Sequence, residues 1–542
     1  MEKKEKIFSW KRSDKVQGNL INCRINNRKI FCLAGRIVAL VISCWLWLMA
    51  LFLPGRTDQI QISFSPDISR SWVGSYFYSF RLEDWRIHQG RIECLRPSAN
   101  CYLYLLTREV EGNSGSLAIR FLVTIPELPE RPRTRNFIGL RIGIKGKTGD
   151  YREAAVSGQG LEVGLATDGL LFIGELESVS SEEKLETLRR VLRKEAEFRL
   201  NLEAEGNEFN LRLAVAEPVS GKVLDELEEF HLPADRVSGG LALVSNLPEV
   251  KTSSENPVSF FKEFKAEGNL LKSFEERALG PVVFTLYTLS QKTLRLTAQL
   301  IPGSLTEETV VNLDIQQDGH WVEKAKSRLN LNSWTACFEI PDWNYQEDKE
   351  FRLRIVEPEP ALEIARNYTG KIRKDPLEKD QIWLAVLSNN QEEGFPHLRL
   401  VSELKKHDPD LIFFGGNQIY GRPAAYWRQN LSLEQARQEY WRQWLLFGWE
   451  FSDLLKNRPA ILIPEARDFF QLKLWGENGR SVVTETISDP IAAQDSGGFL
   501  MPQEFIQLVL ETQTSHLPHL KDKPPAPASW ESYCCEVRAG GL

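Results

Sequence analysis

Hydrophobic and polar residues alternate with period two over most of the chain from about Trp72 to Asn246. The clearest example is EFRLNLEAEGNEFNLRLAVAEP, where alternating apolar residues lead into the turn EGN and alternate back out of it. This pattern predicts a hairpin with one buried face. Similar runs at CYLYLL, LAIRFLVTI, FIGLRIGI and LLFIGEL predict many antiparallel strands, which favour a two-sheet sandwich of jelly-roll type.

Two further patterns complete the β region. The insertion SSEEKLETLRRVLRKEAE has helical spacing with alternating charge, which predicts a surface helix. From about Gly280 to Val356, the short runs TLRLTAQLIP, VVNLDI, WTACFEIPDW and FRLRIVEP predict a small Ig-like sandwich. The following stretch Glu357–Pro376 has two early prolines and no apolar period, so we expect a linker there.

The pattern changes after this stretch. The runs IWLAVLS, LIFFGG and AILIP are apolar without alternation, and helical patterns at HLRLVSELKKHD and at about Leu433 to Lys456 separate them. Unalternated strands that take turns with helices predict an α/β layer with a parallel sheet. The predicted fold class is therefore multidomain β plus α/β, with the α/β layer last.

Polar residues follow each predicted strand of this layer. Asn389 and Asn390 follow the first strand, Asn417 and Gln418 follow the second, and Glu465 begins the segment after the third. Ligands of parallel sheets bind beyond the carboxyl ends of the strands. The sequence therefore predicts a functional site at this edge of the sheet.

Charge is distributed unevenly along the 542 residues. The formal net charge is -7, but residues 1–36 carry ten Lys and Arg against three acidic residues, so the remainder sums to -14. A remainder this acidic, without a basic stripe interleaved with aromatic residues, excludes nucleic acid as a partner. The uncharged run Ile37–Leu53 is seventeen residues long, which is near the lower limit for a membrane-spanning helix.

The flanking charge predicts an orientation. Residues 1–36 should stay in the cytoplasm, which places the chain from Arg56 onward on the exported side, in the periplasm or at the cell surface. Ile37–Leu53 has two interpretations: an uncleaved membrane anchor, favoured by the lack of a small-x-small cleavage pattern, or the signal peptide of a secreted protein.

The eight cysteines do not predict a disulfide framework in a chain of this length. Cys94 and Cys101 flank the short loop LRPSAN and are candidates for one disulfide in an oxidising compartment. Cys534 and Cys535 are adjacent without a second CxxC, so a zinc site is not expected.

Several long strings near the C-terminal end occur in a distinctive order: HDPDLIFFGGNQIYG, WLLFGWEFSDLLKNRPAILIP, DFFQLKLWGENG and MPQEFIQLVLETQTSHLP. Together they resemble the PhoD-type alkaline phosphatase/phosphodiesterase family of metallophosphoesterases, over Gly370–Leu542. The β region, including DWRIHQGRIEC, is similar to the concanavalin/laminin-G-like domain that precedes such catalytic domains in large bacterial members. The resemblance implies a phosphomonoester or phosphodiester hydrolase with iron and calcium cofactors.

Patterns and resemblance together divide the chain into five parts. They are a basic cytoplasmic segment (1–36), a membrane anchor or signal (37–53), a concanavalin/laminin-G-like sandwich (57–275), a small Ig-like sandwich (276–357) and the N-terminal part of a PhoD-like metallophosphatase domain (358–542). The late histidines that complete the family's metal shell are expected beyond Leu542.

The resemblance also implies a set of metal ligands at the strand ends. The family has a Cys ligand where this chain has Asn389, and a metal-bridging Asp in a GDQxY string where this chain has Asn417. The Tyr ligand of that string is kept as Tyr420.

The second family string, PDDHD, reads PEARD in this chain. Glu465 and Ala466 stand in place of two Asp, Arg467 stands in place of the His, and Asp468 is kept. Gln471 matches an amide ligand that follows. His516, in the family-like TSHLP string, joins Arg467 as a candidate catalytic residue.

These substitutions act against metal binding. A bridging carboxylate neutralises two cations, whereas the amide of Asn417 offers one neutral oxygen. Asn389 and Ala466 each remove a further negative charge, and Arg467 adds a positive charge that it cannot lose. Together they oppose metal binding by on the order of several kcal/mol in any medium less polar than water.

Three functional hypotheses follow. The first is a catalytically impaired member of the family. The second is an enzyme with an altered one-metal site, or a site in which Arg467 binds a phosphoester or another anion directly; the ordinary alternative for Arg467 is an ion pair with a neighbouring carboxylate. The third is a surface-anchored module that binds a glycan or protein through its β sandwich, against the alternative that this sandwich only packs on the last domain.

Overall fold

The computed structural model describes residues 58–129, 135–251, 256–356, 367–390, 394–419, 432–474, 489, 492 and 494–518. All of these residues belong to one unit, Thr57–Leu542. The predicted anchor or signal, Ile37–Leu53, and the candidate ligand Tyr420 lie outside the described residues. Within the described ranges, none of the helices is long and apolar enough to span a membrane.

Strands dominate the described part of the chain. They are β1 (Asp58–Ile62), β2 (Ser69–Arg70), β3 (Phe77–Tyr78), β4 (Trp85–His88), β5 (Arg91–Cys94), β6 (Cys101–Val110), β7 (Ser114–Thr124), β8 (Phe137–Lys145), β9 (Gln159–Ala166), β10 (Leu171–Ile173), β11 (Leu176–Glu177), β12 (Ala196–Glu205), β13 (Glu208–Ala216), β14 (Val223–Pro233), β15 (Gly239–Asn246), β16 (Ser259–Gly268), β17 (Leu271–Ser273), β18 (Val282–Ser290), β19 (Thr293–Leu300), β20 (Val310–Gln317), β21 (His320–Arg328), β22 (Thr335–Ile340), β23 (Lys349–Val356), β24 (Tyr368–Ile372), β25 (Leu384–Leu387), β26 (Leu411–Gly415) and β27 (Ala460–Ile463).

Helices are fewer in these ranges. The α-helices are α1 (Tyr151–Ser157), α2 (Glu182–Lys194), α3 (Ala234–Val237), α4 (Leu398–His407), α5 (Leu433–Leu455) and α6 (Gln503–Thr514). Short 3-10 helices lie at Leu82–Asp84, Glu275–Arg277, Ala466–Phe469 and Gln494–Ser496.

The first β unit is a sandwich of two antiparallel sheets. Nine strands form one sheet, in the order β14-β13-β12-β7-β16-β5-β4-β2 with β1 added to β16, and eight form the other, in the order β11-β10-β9-β8-β15-β6-β17 with β3 added to β6. Side chains from both sheets form one apolar core. The predicted hairpin is confirmed, since β12 and β13 pair from Glu197 with Ala216 to Glu205 with Glu208.

The predicted surface helix is confirmed as α2. The Ser181 side chain caps its first turn by accepting from the Lys184 amide at 3.4 Å. Leu188 and Leu192 are its buried residues, while the other face is charged. Helical spacing of two leucines among charged residues therefore suffices to attach this helix to the sandwich.

The second β unit contains two smaller sheets, in the orders β18-β19-β22 and β21-β20-β23-β24. Side chains of both sheets share a core that includes Tyr287 and Phe351. The predicted linker is wrong over Tyr368–Ile372, because these residues form β24 and pair with β23 from Lys349 to Leu353. Their short length hides the alternation that would have marked a strand.

The α/β layer has the predicted parallel sheet, in the order β25-β26-β27. Helix α5 packs between this sheet and the β units, and its side chains are buried on nearly all sides. Gly448 allows the close approach to β18, since a Cβ there would lie 1.9 Å from a ring carbon of Phe284. Next to it, Trp444 Nε1 donates to the buried Gln299 side chain at 2.9 Å.

The candidate disulfide between Cys94 and Cys101 is not formed in this structure. Cys94 and Cys101 are free, buried thiols in the structure, and they are hydrogen-bond partners of each other. Each thiol also faces the Arg96 carbonyl oxygen, at 3.8 and 3.9 Å. The loop that they flank therefore does bring them together, as reduced side chains.

Candidate functional site

The carboxyl ends of the three parallel strands form a compact polar edge. The chain turns sharply after β25 and β26, because Asn389, Gly416 and Asn417 have positive φ values of 56°, 93° and 56°. Asparagine and glycine are the residues that adopt this left-handed conformation most readily. The Asn389 amide donates to the Gly416 carbonyl at 3.2 Å, which fastens the first turn to the second.

Asp468 is the centre of this edge and is fully buried. Its Oδ2 accepts from the backbone amides of Asn417 and Glu465, both at 2.8 Å. Its Oδ1 accepts from the backbone amide of Ile419 at 2.8 Å and from the Gln513 side chain at 3.3 Å. A carboxylate has about four lone-pair positions, so these four donors occupy its bonding capacity.

The electrostatics of Asp468 reflect two opposing effects. Burial raises the pKa of Asp468 to about 6, while the hydrogen bonds from Glu465, Ile419 and Gln513 act in the other direction. The donors favour the ionised form because each points an N–H at a carboxylate oxygen. The carboxylate therefore holds three chain segments together inside the protein.

The side chain of Asn417 uses both ends of its amide. Its Oδ1 accepts from the Arg467 backbone amide at 3.1 Å, and its Nδ2 donates to the Asn389 side-chain oxygen at 2.7 Å. An aspartate at this position could accept the first bond but could not donate the second. Asn417 is thus an element of the loop structure that an acidic residue would disrupt.

Two of the remaining candidates, Glu465 and Gln471, also form hydrogen bonds within the protein. The Glu465 side chain caps the 3-10 helix Ala466–Phe469 by accepting from the Asp468 backbone. Arg467 is partly exposed on the same turn. The fully buried Gln471 donates to the Lys473 and Gly498 carbonyls, at 2.7 and 3.4 Å, and accepts from the Leu500 amide at 3.1 Å.

His516 does not join the other candidates. Its ring Nε2 lies 3.1 Å from the carbonyl oxygen of Ala460, the first residue of β27, so it sits at the amino end of a strand whose carboxyl end leads to Glu465. The ring is fully buried, and this burial lowers its pKa to about 3. His516 is therefore a neutral side chain packed inside the fold.

The sequence patterns did not indicate Gln513, and they named Gln418 only by its place after β26. Gln513 on α6 donates to Asp468, and its Oε1 accepts from the Gln418 side chain at 3.2 Å. Gln513 also lies 3.4 Å from the Tyr440 hydroxyl, so the network reaches α5. The signal for Gln513 was its place in an amphipathic helix, but spacing alone did not reveal that it faces inward.

The side chains at this edge are not suited to act as ligands of an iron–calcium pair. Both oxygens of Asp468 face N–H donors, and the amides of Asn417 and Gln471 are bonded to neighbouring chain segments. A dinuclear site needs deprotonated anionic ligands directed at the metals. Across the described residues, no group of three or more His, Cys, Asp or Glu side chains could hold a metal ion.

A cavity of about 430 Å³ lies elsewhere, where α1, α4, α5 and β24 meet. Lys405 and Lys456 on its wall both pair with Asp453, at 3.0 and 2.7 Å. The guanidinium of Arg152 pairs with Asp150 and donates to the Trp449 carbonyl. These three cations are thus all engaged by groups of the protein itself.

The outward face of the nine-stranded sheet carries two smaller cavities side by side. One, of about 210 Å³, lies between the end of α2 and the strands β5, β7 and β16. The other, of about 260 Å³, lies over β1, β7, β12 and β16. Leu122 on β7 borders both, so the two cavities adjoin, and together they are here called the sheet groove.

No protein-family model and no curated protein matches the chain. Similar solved structures include a basic winged bean lectin with Tn-antigen (13% identity, 39% of this chain and 99% of that chain, TM-score 0.27) and the Emp47p carbohydrate recognition domain (12%, 40% and 88%, TM-score 0.20). A purple acid phosphatase from yellow lupin (Lupinus luteus) seeds is also similar (8%, 83% and 63%, TM-score 0.29). These TM-scores are too low to assign a function.

Proposed function

We propose that this protein is an exported, membrane-anchored relative of PhoD-type phosphatases whose α/β layer has become a structural, non-catalytic unit. The carrying observation is that Asp468, the retained acidic position of the PEARD segment, accepts four hydrogen bonds from within the fold. A carboxylate whose lone pairs face N–H donors has none left to direct at a cation.

The neighbouring contacts support this proposal. Asn417 and Gln471 each use both ends of their amides for contacts within the protein. Separating these contacts to admit a metal would lose hydrogen bonds worth about 0.5–1.5 kcal/mol each and would leave the buried Leu500 amide without its acceptor. The amide side chains at the strand ends therefore form part of one hydrogen-bonded network within the protein.

The experiment is a hydrolysis assay on the full chain purified in a mild detergent. Bis-p-nitrophenyl phosphate and p-nitrophenyl phosphate serve as diester and monoester substrates, with iron and calcium added or chelated. We expect no metal-dependent release of nitrophenol above buffer with metal. Hydrolysis that requires metal and disappears in Asp468→Asn would overturn the proposal and restore the enzyme hypothesis.

The location of the protein is part of the proposal. We infer that Ile37–Leu53 anchors the chain with residues 1–36 in the cytoplasm, because of the charge on that flank. Fractionation of cells expressing the full chain should place it in the membrane fraction, and protease added outside should digest it from Arg56 onward. Release of a soluble, shortened chain would support the signal-peptide alternative instead.

A second candidate function is glycan binding by the first sandwich. The observation that favours it is the sheet groove, which lies on a solvent-facing sheet and combines polar side chains with Leu122 and Phe260. The polar side chains of this groove can form hydrogen bonds with sugar hydroxyls. A glycan array probed with the full chain tests this function, and the absence of any binding would remove it.

A further inference from the structure

Positive charges face one another directly in the sheet groove. The register of the nine-stranded sheet places Arg120 on β7 opposite Arg199 on β12 and opposite Lys265 on β16. Three neighbouring strands therefore present three cations in one row. Like charges at directly opposed positions of a sheet are destabilising, so this row is not explained by the stability of the sandwich.

The protein compensates the two outer cations but not the central one. Arg199 pairs with Glu197 at 2.6 Å, and Lys265 pairs with Glu267 at 2.8 Å. Arg120 is exposed and forms no ion pair with any described residue, although the Glu267 carboxylate also feels its charge. The middle of the row therefore presents to solvent a guanidinium that has no ion pair among the described residues.

The other end of the groove is also basic. Four cations line the cavity beside α2, namely Arg91, Arg193, Lys194 and Lys262, against the single carboxylate of Glu195. Glu195 pairs with Lys262 at 2.7 Å. Arg193 and Lys194 are exposed and have no ion pair within the described part of the chain.

Excess positive charge in this groove contrasts with the whole protein. The two cavities together are lined by six cations and three carboxylates. Two of these cations, Arg91 and Lys265, pair with the adjacent carboxylates of Glu93 and Glu267, which leaves a smaller local excess of positive charge on a chain whose formal net charge is -7. A concentrated field of one sign on a surface of the opposite overall sign attracts and orients a charged ligand. Arg120 and Leu122 are two residues apart on β7, roughly 7 Å, so an extended ligand can reach both cavities.

We propose that the sheet groove binds an acidic glycan, a chain of sugars that carry carboxylate or other anionic groups, through Arg120, Arg193 and Lys194. This deepens the glycan-binding function proposed above and rests on it. Arg120 supplies a planar guanidinium suited to a carboxylate. The cations lie across neighbouring strands in a groove, which suits an extended polymer better than a membrane surface.

Nucleic acid fits this groove less well. Single-stranded nucleic acids bind to exposed aromatic faces on which the bases stack. Phe260 is an aromatic residue of the groove, and the Arg91 guanidinium already covers its ring at 3.8 Å from the centroid. The groove therefore offers charge and hydrogen bonds, with that ring face already occupied.

The test measures binding of the full chain, in mild detergent, to an oligogalacturonate and to a neutral maltooligosaccharide of equal length. The site variant combines Arg120→Gln, Arg193→Gln and Lys194→Gln. The matched control combines Lys324→Gln, Lys326→Gln and Arg328→Gln on β21, which removes the same charge from an exposed strand of the other sandwich. Thermal unfolding of both variants verifies that they fold.

We expect binding to the oligogalacturonate that weakens steeply with salt, a loss of affinity of about tenfold in the site variant, and little change in the control. Equal binding of acidic and neutral oligosaccharides, or equal losses in both variants, would overturn the acidic-glycan site while leaving glycan binding in place. Absence of binding to both oligosaccharides would overturn both. Binding to phosphatidylglycerol vesicles but not to the oligogalacturonate would also overturn the acidic-glycan site, in favour of a membrane contact.

Discussion

The side-chain amide of Asn417 donates to the side-chain oxygen of Asn389 at 2.7 Å. This bond joins the loops that follow the first two strands of the parallel sheet. As it stands, the bond needs an N–H on Asn417. An aspartate there could bond to Asn389 only if the Asn389 amide turned over and gave up its donation to Ser388 at 3.2 Å. The two positions where the resemblance implies an anionic metal ligand are thus hydrogen-bonded to one another.

Introducing an acidic residue by Asn417→Asp should weaken the fold. The carboxylate loses the bond to Asn389 and approaches the buried charge of Asp468. We expect the free energy of unfolding to fall by about 1–3 kcal/mol, as measured by urea denaturation. Asn201→Asp on the exposed face of β12 is the matched control and should change it little. A stabilised Asn417→Asp protein in iron and calcium would contradict this interpretation.

Asp468→Asn should destabilise the protein equally with and without metals. The substitution replaces an acceptor of four hydrogen bonds by a side chain with one acceptor oxygen, and we expect a loss of about 3 kcal/mol. The measurement is thermal unfolding of both proteins in EDTA and in iron plus calcium. A metal-dependent increase in the Tm of the wild type that the variant lacks would show that Asp468 is a ligand.

The pairing of His397 with Glu450 should make stability depend on pH. The Nδ1 of His397 lies 2.7 Å from the buried Glu450 carboxylate, and this hydrogen bond raises the pKa of His397 above its usual value. The stabilisation is therefore fully present below the unfolded-state pKa, about 6.5, and is lost as pH rises through the folded-state pKa.

His397→Gln checks this dependence. The variant should be less stable than the wild type at pH 6, and the gap should narrow by pH 8.5, because the wild type has then lost the charged pair. Thermal unfolding at several pH values gives the comparison. A gap that is constant with pH would mean that the contribution of His397 is packing alone.

Arg120→Gln should stabilise the first sandwich. It removes the central cation of a row in which Arg199 and Lys265 lie on either side, and we expect a gain of about 0.5 kcal/mol. The effect should shrink at high salt, because these charges face solvent. A clear loss of stability in urea denaturation would show that Arg120 has a structural partner.

Gly448→Ala should destabilise the packing of α5 on β18. The added methyl group meets the Phe284 ring, and we expect a cost of about 3 kcal/mol. Phe284→Leu in the same chain should recover part of this cost by making room. A double-mutant cycle of unfolding free energies tests the coupling, and simple additivity would contradict direct contact between these positions.

Sequence periodicity was sufficient for the regular elements. Alternation identified β12 and β13, helical spacing identified α2, and unalternated apolar runs identified the parallel sheet. In each case the pattern of apolar side chains within the element itself is enough to predict its structure. The strand β24 was not predicted, because five residues between a stretch with two prolines and Asp375 show too little alternation to distinguish a strand from a linker.

The structure of the candidate site depends on contacts that the spacing of residues along the sequence does not reveal. The carboxyl ends of the strands were predicted to meet, and Asn389, Asn417 and Asp468 do meet there. Yet the donors that occupy Asp468 include backbone amides and the distant Gln513, which only the fold brings together. His516 shows the opposite case. The family-like string that contains it suggested a place among the site residues, but its ring lies at the amino end of β27, away from the site.

The most direct measurement is the metal content of the full chain, purified in mild detergent after expression with iron and calcium, by inductively coupled plasma mass spectrometry. We predict iron and calcium far below one per chain in a folded sample, unchanged in Asp468→Asn. Near-stoichiometric metal in the wild type that is lost in Asp468→Asn would contradict the conclusion that the α/β layer is a structural unit.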